Sequence, residues 1–287
     1  MSVDGLVEFC RGRRVCVLSG AGTSTDSGIP DYRGPLTRHR PRNPIQYKPF
    51  VEQMETRRRY WARAMVGWPR FRSTRPNRAH IALAELEAAG VVDAVITQNV
   101  DRLHQKGGSK NVLELHGALA EVRCLSCRAL HDRDAVHEWM CALNPNFDVA
   151  EAEVAPDGDA ELSPEQVASF RVADCPACGG MLKPNVVFFG ENVPRPVVDR
   201  AWSLWERADA LLVVGSSLTV FSGYRFVKKA PLRNLPVAIV NLGPTRGDAL
   251  AHLRVDGRLG EVLPELSVRL GSTERWASAP FRLAASG

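Results

Sequence analysis

The sequence lacks any long run of apolar residues, and this absence excludes a membrane-spanning helix. No apolar segment of the 287 residues approaches the roughly 18 residues that a helix needs to cross a bilayer. Residues 1–14 also lack the apolar core and the small-residue cleavage site of a secretory signal. We therefore expect a cytoplasmic protein with no membrane partner. A mitochondrial matrix protein numbered after processing is the alternative.

Aromatic residues are scarce, at 7% of the chain, and none is interleaved with the clusters of basic residues. This pattern argues against nucleic acid as a main ligand. Apolar residues make up 45% and charged residues 24%, which are ordinary values for a folded globular protein. The net charge of +5 conceals an acidic segment, residues 134–165, that contains neither lysine nor arginine. Its part rich in Pro, Asp, Gly and Glu, residues 151–165, is typical of a loop.

The chain has seven cysteines, and an odd number without a secretory signal favours a reducing compartment over a disulfide framework. Four of them form two C-x-x-C pairs, Cys124 with Cys127 and Cys175 with Cys178. Four thiolates can hold one tetrahedral zinc ion at about 2.3 Å and leave no open coordination position. We therefore predict one structural Zn²⁺. A redox C-x-x-C motif and buried free thiols are the alternatives, but two pairs are more specific for zinc than one.

The other three cysteines, Cys10, Cys16 and Cys141, belong to no such motif. We expect them to be small buried apolar residues.

Short apolar segments alternate with helical segments along much of the chain. Strands are predicted at residues 14–20, 91–97, 208–215 and 236–241. Helices are predicted at 77–90 and 197–208, the second with Val198, Trp202 and Trp205 on its buried side. Continuous Val, Ile and Leu strands between helices indicate a Rossmann-like α/β fold, a parallel sheet with helices on both faces. Ligands bind such sheets beyond the carboxyl ends of the strands.

The middle of the chain differs in composition, because it carries the paired cysteines and the acidic segment. We predict a small zinc-binding module at residues 120–189, inserted into a Rossmann-like domain formed by residues 1–119 and 190–287.

A glycine-rich segment directly follows the first predicted strand. Small residues at Gly20, Ala21 and Gly22 let backbone amides approach a phosphate group closely. The spacing departs from G-x-G-x-x-G, because residue 25 is Thr and the next glycine is Gly28. A tight strand-to-helix turn is the alternative, and the cation Arg33 just downstream favours anion binding.

Polar or glycine-rich turns follow the other predicted strands as well. The segments are 97–101 (TQNVD), 215–217 (GSS) and 241–243 (NLG). Each alone could be a turn that caps its own backbone. Together they place four such turns after four strands, as one dinucleotide site would require. His116 lies between the second of these turns and the first cysteine pair. Its unperturbed pKa near ~6.5 suits a general base, although a lone histidine is usually structural.

These segments together resemble the sirtuins, a family of NAD-dependent protein-lysine deacylases. The resemblance is carried by residues 20–33 (GAGTSTDSGIPDYR), 97–104 (TQNVDRLH), 115–117 (LHG), 186–191 (VVFFGE), 215–218 (GSSL), 241–243 (NLG) and the two cysteine pairs. It covers residues 10–265 in family order. The local sequence of these motifs is most similar to the class II branch, which includes mitochondrial enzymes with lipoamidase, deacylase and ADP-ribosyltransferase activities.

The resemblance implies that NAD binds along the carboxyl edge of the sheet and that His116 is the general base. It implies removal of an acyl group from a protein lysine, with nicotinamide and O-acyl-ADP-ribose as products, and a lipoyl or long-chain acyl group suits the class II branch. The implied cofactor-binding residues are Gly20, Ala21, Gly22, Thr23, Ser24, Gly28, Ile29, Pro30, Asp31, Tyr32, Arg33, Gln98, Asn99, Val100, Asp101, Gly215, Ser216, Ser217, Asn241, Leu242, Gly243 and Leu259.

An extended acyl-lysine substrate is expected to pair with Val187, Phe188, Phe189, Gly190 and Glu191. An ordinary buried strand is an equal interpretation for Val187. Two other functions stay open: an NAD-dependent protein ADP-ribosyltransferase using the same site, and a non-catalytic module that binds NAD and zinc.

Overall fold

The apolar strands predicted from the sequence lie side by side in a parallel sheet of six strands. The structure is a computed structural model that describes residues 3–31, 44–147, 162 and 164–271. Its strands are β1 (Val15–Ser19), β2 (Val92–Thr97), β3 (Val112–Glu114), β4 (Gly117–Cys124), β5 (Leu130–Asp132), β6 (Leu182–Val186), β7 (Ala210–Val214), β8 (Val237–Asn241) and β9 (Leu253–Asp256). Its helices are α1 (Val3–Cys10), α2 (Tyr47–Glu52), α3 (Met54–Ser73), α4 (Arg78–Ala88), α5 (Leu103–Lys106), α6 (Arg133–Leu143), α7 (Pro164–Ser169), α8 (Arg195–Glu206), α9 (Phe221–Lys229) and α10 (Leu259–Arg269).

The strand order of the large sheet is β3-β2-β1-β7-β8-β9, and every adjacent pair is parallel. The order reverses at β1, which pairs with β2 on one side and with β7 on the other. In sheets of this kind a crevice opens at that reversal, beyond the carboxyl ends of the strands. The predicted Rossmann-like fold is therefore confirmed, and the predicted turns meet at the crevice.

Alternate residues of β1 supply the two faces of the sheet. Val15 and Val17 pack in an apolar cluster with α1, α4 and α10. Cys16 and Leu18 pack in a second cluster with α8 and α9 on the opposite face. A strand covered on both faces must be apolar throughout, which is why it reads as an unbroken apolar run in the sequence.

Helices α4 and α8 lie close to their predicted positions, but the buried side of α8 differs in part from the prediction. Trp205 is buried as expected, whereas Val198 and Trp202 are only partly buried and line the cavity described below. The buried side of α8 is completed by Ala201 and Leu204.

A second sheet of three strands, ordered β5-β4-β6, is antiparallel. It packs with α3 and α6 around a third apolar cluster that includes Trp61, Met140 and Leu182. Most of the predicted loop at residues 151–165 lies outside the described residues. The boundaries of the inserted module stay a prediction.

Of the three unpaired cysteines, Cys10 and Cys16 are buried, and burial raises the pKa of each thiol to about 12. Cys141 is exposed on α6, so the prediction that it is buried was wrong. It occupies a solvent-facing position of an amphipathic helix whose buried residues include Val136 and Met140. Within the described ranges, the helices are too short or too polar to cross a membrane.

Candidate active site

A cavity of about 1600 Å³ opens at the carboxyl ends of β1, β2, β7 and β8. Most residues predicted to bind cofactor or substrate line it. They are Gly20, Ala21, Gly22, Ser24, Ile29, Pro30, Asp31, Gln98, Asn99, Val100, Asp101, His116, Val187, Phe188, Phe189, Gly190, Glu191, Gly215, Ser216, Ser217, Asn241, Leu242, Gly243 and Leu259. Thr23 and Gly28 are not among the lining residues, and Tyr32 and Arg33 lie outside the described residues.

The glycines after β1 and β7 allow two loops to touch through their backbones. A Cβ atom at Gly20 would lie 2.8 Å from the Gly215 carbonyl oxygen. A Cβ atom at Gly215, whose φ is +59°, would lie 2.4 Å from the Thr23 amide nitrogen. Gly28 has a different use, because its φ of +85° ends a short 3₁₀ turn. The sequence therefore needs glycine here partly for packing between loops.

Four amides of the loop after β1 are already occupied by backbone acceptors. Gly20 donates to the Val214 carbonyl at 3.0 Å, and Gly22 donates to the Gly215 carbonyl at 2.8 Å. Thr23 and Ser24 donate to carbonyls within the loop itself. These four amides are therefore engaged within the protein, and a role of residues 20–22 in phosphate binding stays a prediction.

Asn99, Ser24 and Asp101 form a hydrogen-bonded chain on the floor of the cavity. The Asn99 Nδ2 donates to the Gly20 carbonyl and to Ser24 Oγ, at 3.1 Å each. Ser24 Oγ donates to Asp101 Oδ2 at 2.7 Å, and Asp101 Oδ1 accepts from the Leu103 amide at 2.8 Å. Burial raises the pKa of the Asp101 carboxyl, although these hydrogen bonds oppose the shift. Residues from two separate segments thus hold one another in place.

Gln98 connects the loop after β2 to the loop after β7. Its Nε2 donates to Ser216 Oγ at 2.9 Å. Helix α9 approaches the same amide so closely that a Cβ atom at Gly223 would lie 2.4 Å from Gln98 Oε1. The Gln98 side chain is therefore fixed on two sides.

His116 has a defined tautomer. Its Nδ1 lies 3.0 Å from the backbone carbonyl oxygen of Gln98, and its Nε2 lies 2.7 Å from Ser222 Oγ. A carbonyl oxygen can only accept, so Nδ1 carries the hydrogen. Burial lowers the pKa of His116, and the charge of Arg225 adds to this effect while the bond to Gln98 opposes it. A neutral ring protonated at Nδ1 leaves Nε2 with a lone pair, which accepts the Ser222 hydroxyl. This is the protonation state that a general base requires.

Sequence reasoning missed Ser222 and Arg225, which both line the cavity. Neither stands directly after a strand, and Ser222 is 106 residues from its partner His116. Their spacing of three residues, about one helical turn, was a signal that the sequence offered.

The segment after β6 is anchored along its length. The Val187 amide donates to the His116 carbonyl at 2.8 Å, so that amide is not free to pair with a substrate strand. Glu191 Oε2 accepts from the Phe188 amide and forms an ion pair with Lys183 Nζ, at 2.9 Å each. The Glu191 carboxylate therefore holds its own loop. Phe189, with 37% of its surface exposed, is the open apolar residue of this segment.

At the far end of the cavity, Asn241 braces the turn after β8. Its Nδ2 donates to the carbonyls of Leu242 and Gly243, at 3.1 and 3.0 Å. Leu259, the first residue of α10, is buried and also lines the cavity.

The four paired cysteines come together away from this cavity. Their Sγ atoms all lie within 4.8 Å of one another, with 3.5 Å between Cys124 and Cys178 and 3.8 Å between Cys127 and Cys175. A tetrahedral zinc site with Zn–S bonds of ~2.3 Å has S···S edges of about 3.8 Å. The Cys127 amide also points at Cys124 Sγ, at 3.5 Å, as suits a thiolate. The cluster is compatible with one structural zinc ion.

Comparisons with known proteins agree with this geometry. The family model described as "Sir2 family" matches residues 20–222. "NAD-dependent protein deacetylase 1" of Mycobacterium avium (strain 104) is 53% identical over 270 residues, which are 92% of this chain and 94% of that protein. "NAD-dependent protein deacylase Sirt4" of Drosophila melanogaster is 49% identical over 255 residues, 88% of this chain and 82% of that protein.

Solved structures show the same similarity. "Sir2 bound to acetylated peptide" superposes with a TM-score of 0.75 at 30% identity, covering 95% of this chain and 100% of that one. "Sir2-p53 peptide-NAD+" superposes with a TM-score of 0.72 at 32% identity, covering 94% of this chain and 97% of that one. The chain therefore belongs to the Sir2 family and is a sirtuin, an NAD-dependent enzyme.

Proposed function

We propose that this protein removes acyl groups from lysine side chains of other proteins in an NAD-dependent reaction, with His116 as the general base. The observation that carries the proposal is the His116 ring itself. It is neutral, it presents Nε2 as the acceptor, and it lines the cavity where the polar loops meet.

The residues present fit the cofactor. Gln98, Asn99 and Asp101 offer amide and carboxylate groups suited to ribose hydroxyls and a carboxamide, close to His116. The loop at 20–22, with Arg33, would hold the pyrophosphate, and Ser216, Ser217, Asn241 and Leu259 would line the adenosine end. When bound, NAD supplies the ADP-ribosyl group that accepts the acyl group as nicotinamide leaves.

The protein's own contribution is a base and a set of fixed side-chain positions. His116 takes up a proton at Nε2, and the Gln98 carbonyl keeps Nδ1 protonated throughout. The geometry needs no serine or cysteine nucleophile, because the substrate's acyl oxygen fills that role. Holding the reacting groups in register is then the main source of rate enhancement.

We propose an apolar acyl group, lipoyl or long-chain, and a place in the class II branch. Support comes from the side chains Ile29, Tyr60, Phe71, Leu119 and Phe188, which line the cavity and belong to one apolar cluster. The 49% identity to Sirt4 also supports the branch. The substrate peptide would lie along residues 187–191, where Phe189 is exposed.

We also propose that residues 120–189 form the zinc module of a Rossmann-like NAD-binding domain. The four cysteines would hold one zinc ion, whose role is to stabilise that module.

The test is nicotinamide release from NAD across peptides carrying acetyl, succinyl, glutaryl, lipoyl or long-chain acyl lysine, with a no-peptide control. We expect release that depends on an acyl peptide and is greatest for the apolar groups. His116→Ala should lower kcat by about 10²–10⁴-fold without changing the melting temperature. His137→Ala is the matched control, because His137 lies on α6 outside the cavity lining.

Release without any peptide, accompanied by labelling of protein from NAD, would replace deacylation with ADP-ribosyl transfer. Silence on every peptide, with NAD and zinc both bound, would favour the non-catalytic binding module. Substantial turnover by His116→Ala would overturn the assignment of the base.

A further inference from the structure

Helix α9 places two residues near the proposed base His116. Ser222 contacts the His116 ring, and Arg225 contacts Ser222. Ser222 Oγ lies 2.7 Å from His116 Nε2, and Arg225 Nε donates to the Ser222 carbonyl at 3.0 Å. Both residues line the cavity. A hydroxyl that donates to the bare nitrogen of a base, and a cation one helical turn away, form a small assembly around His116.

Arg225 carries an uncompensated charge. Within the described part of the chain it forms no ion pair, and its Nη2 is buried without a hydrogen-bond partner. Burial lowers the pKa of its guanidinium, but arginine remains charged at any working pH. The positive charge of Arg225 opposes protonation of the His116 ring, and burial of the ring, which is the larger effect, acts in the same direction.

Among the described residues, the other segments that contact His116 contribute no comparable charge. The loop after β2 contacts the ring through the neutral Gln98 backbone, and its Asp101 is engaged with Ser24. The segment after β6 contacts His116 through the Val187 amide, and its Glu191 is paired with Lys183. Within the part of the chain that the structure describes, the charge that acts on this ring is that of Arg225 on α9.

We propose that Ser222 and Arg225 are positioning residues for His116. The Ser222 hydroxyl fixes the orientation of the ring. The Arg225 guanidinium holds the backbone carbonyl of Ser222 and adds to burial in opposing protonation of the ring, so that Nε2 stays available as a base. This inference rests on the proposed role of His116. The Arg225–Ser222 hydrogen bond couples the two effects, because it fixes the backbone that carries the hydroxyl.

The two residues act differently on the ring. A positive charge opposes protonation of an imidazole, so removal of Arg225 raises the pKa of His116. A hydroxyl can donate to the neutral ring and accept from the protonated ring, so removal of Ser222 changes the orientation of His116 and leaves its pKa near the original value.

The experiment is a pH profile of kcat/KM for nicotinamide release, combined with NMR titration of the His116 Cε1 proton in labelled protein. In Arg225→Met, we expect the acidic limb of the profile and the His116 titration to move to higher pH together. Arg225→Lys should restore both toward the wild type, because it restores the charge. Lys228→Met removes a charge from the exposed side of the same helix and should move neither.

Ser222→Ala should lower kcat about fivefold, which corresponds to the loss of one hydrogen bond. The acidic limb of its pH profile should stay at the wild-type pH. Ser222→Thr, which keeps a hydroxyl, should recover much of the loss. The proposal is overturned if Arg225→Met titrates like the wild type, or if Ser222→Ala retains the wild-type kcat in a folded protein. The NMR titration needs no substrate, so it tests Arg225 even if the proposed deacylase activity is absent.

Discussion

The buried Lys183 forms an ion pair with the partly buried Glu191 beneath the loop that follows β6, with 2.9 Å between Nζ and Oε2. Lys183 is only 4% exposed, and its ammonium group lies 4.5 Å from the centre of the Phe188 ring. The same ammonium donates to the Val186 carbonyl at 2.5 Å, while the carboxylate accepts the Phe188 amide. One ion pair thus fixes both ends of the segment proposed to bind the substrate peptide.

Lys183→Met should destabilise the protein and raise KM for the acyl peptide. The change leaves the Glu191 carboxylate partly buried without its cation, which we expect to lower the free energy of unfolding by about 3 kcal/mol. The double variant Lys183→Met/Glu191→Gln removes the stranded charge and should recover part of the loss. Urea denaturation and peptide KM measure both effects, with the exposed Lys48→Met as control. A double variant no more stable than Lys183→Met would contradict this explanation.

Asn77 has two roles, because it caps the start of α4 and also bonds to the loop after β1. Different side-chain atoms serve the two roles, so substitutions can separate them. Its Oδ1 accepts from the Ala79 amide at 2.9 Å, while its Nδ2 donates to the Thr23 carbonyl at 2.8 Å. Asn77→Ala should lower the free energy of unfolding by about 1 kcal/mol and raise KM for NAD. Asn77→Ser keeps the helix cap but not the second bond, so it should recover stability only. Equal KM values for NAD in the wild type and Asn77→Ser would show that the bond to Thr23 is unimportant.

The buried, neutral His104 should lower the free energy of unfolding in mild acid. Ser19 Oγ donates to Thr97 Oγ1 and therefore accepts from His104 Nε2, at 2.7 Å. Burial lowers the pKa of His104 to about 4, and its Nδ1 has no partner among the described residues. The unfolded chain binds a proton near pH ~6.5 and the folded chain does not, so stability falls as the pH drops from about 6.5 to about 4.

The loss from His104 alone should reach about 3 kcal/mol at pH 4. Urea denaturation of the wild type and of His104→Gln at a series of pH values measures it. The amide of Gln can donate to Ser19 without titrating, so that variant should show a flatter dependence. An unchanged slope in a folded His104→Gln protein would assign the acid sensitivity to other groups, of which the neighbouring His80 is the first candidate.

Cys124→Ser should reduce the bound zinc and lower the melting temperature, because structural zinc contributes folding free energy. Cys141→Ser is the matched control, since Cys141 is exposed and lies outside the cluster. Metal analysis and thermal melts, with and without a chelator, provide the readout. One zinc per chain and a wild-type melting temperature in Cys124→Ser would disprove a four-thiolate site.

The interior strands were predictable because β1, β7 and β8 are buried on both faces and each contains at least four consecutive apolar residues. The edge strands β3 and β9 were missed, because three or four half-buried residues produce no such run. The prediction that Val198 of α8 is buried was wrong for a different reason. An apolar side chain facing a cavity and one facing the core are identical in the sequence.

The sequence by itself determined the strand pattern, the order of the turns that meet at the cavity, the four thiolates and the family. Each of these depends on residues that are close along the chain or repeat at a fixed spacing. Only the tertiary structure decided which groups are available for chemistry. It occupied the amides of Gly20 and Gly22, turned Glu191 toward Lys183, and brought Ser222 to His116 across 106 residues. The physical reason is that hydrogen bonds and charges act over a few ångströms in space, and only packing sets that distance for residues remote in sequence.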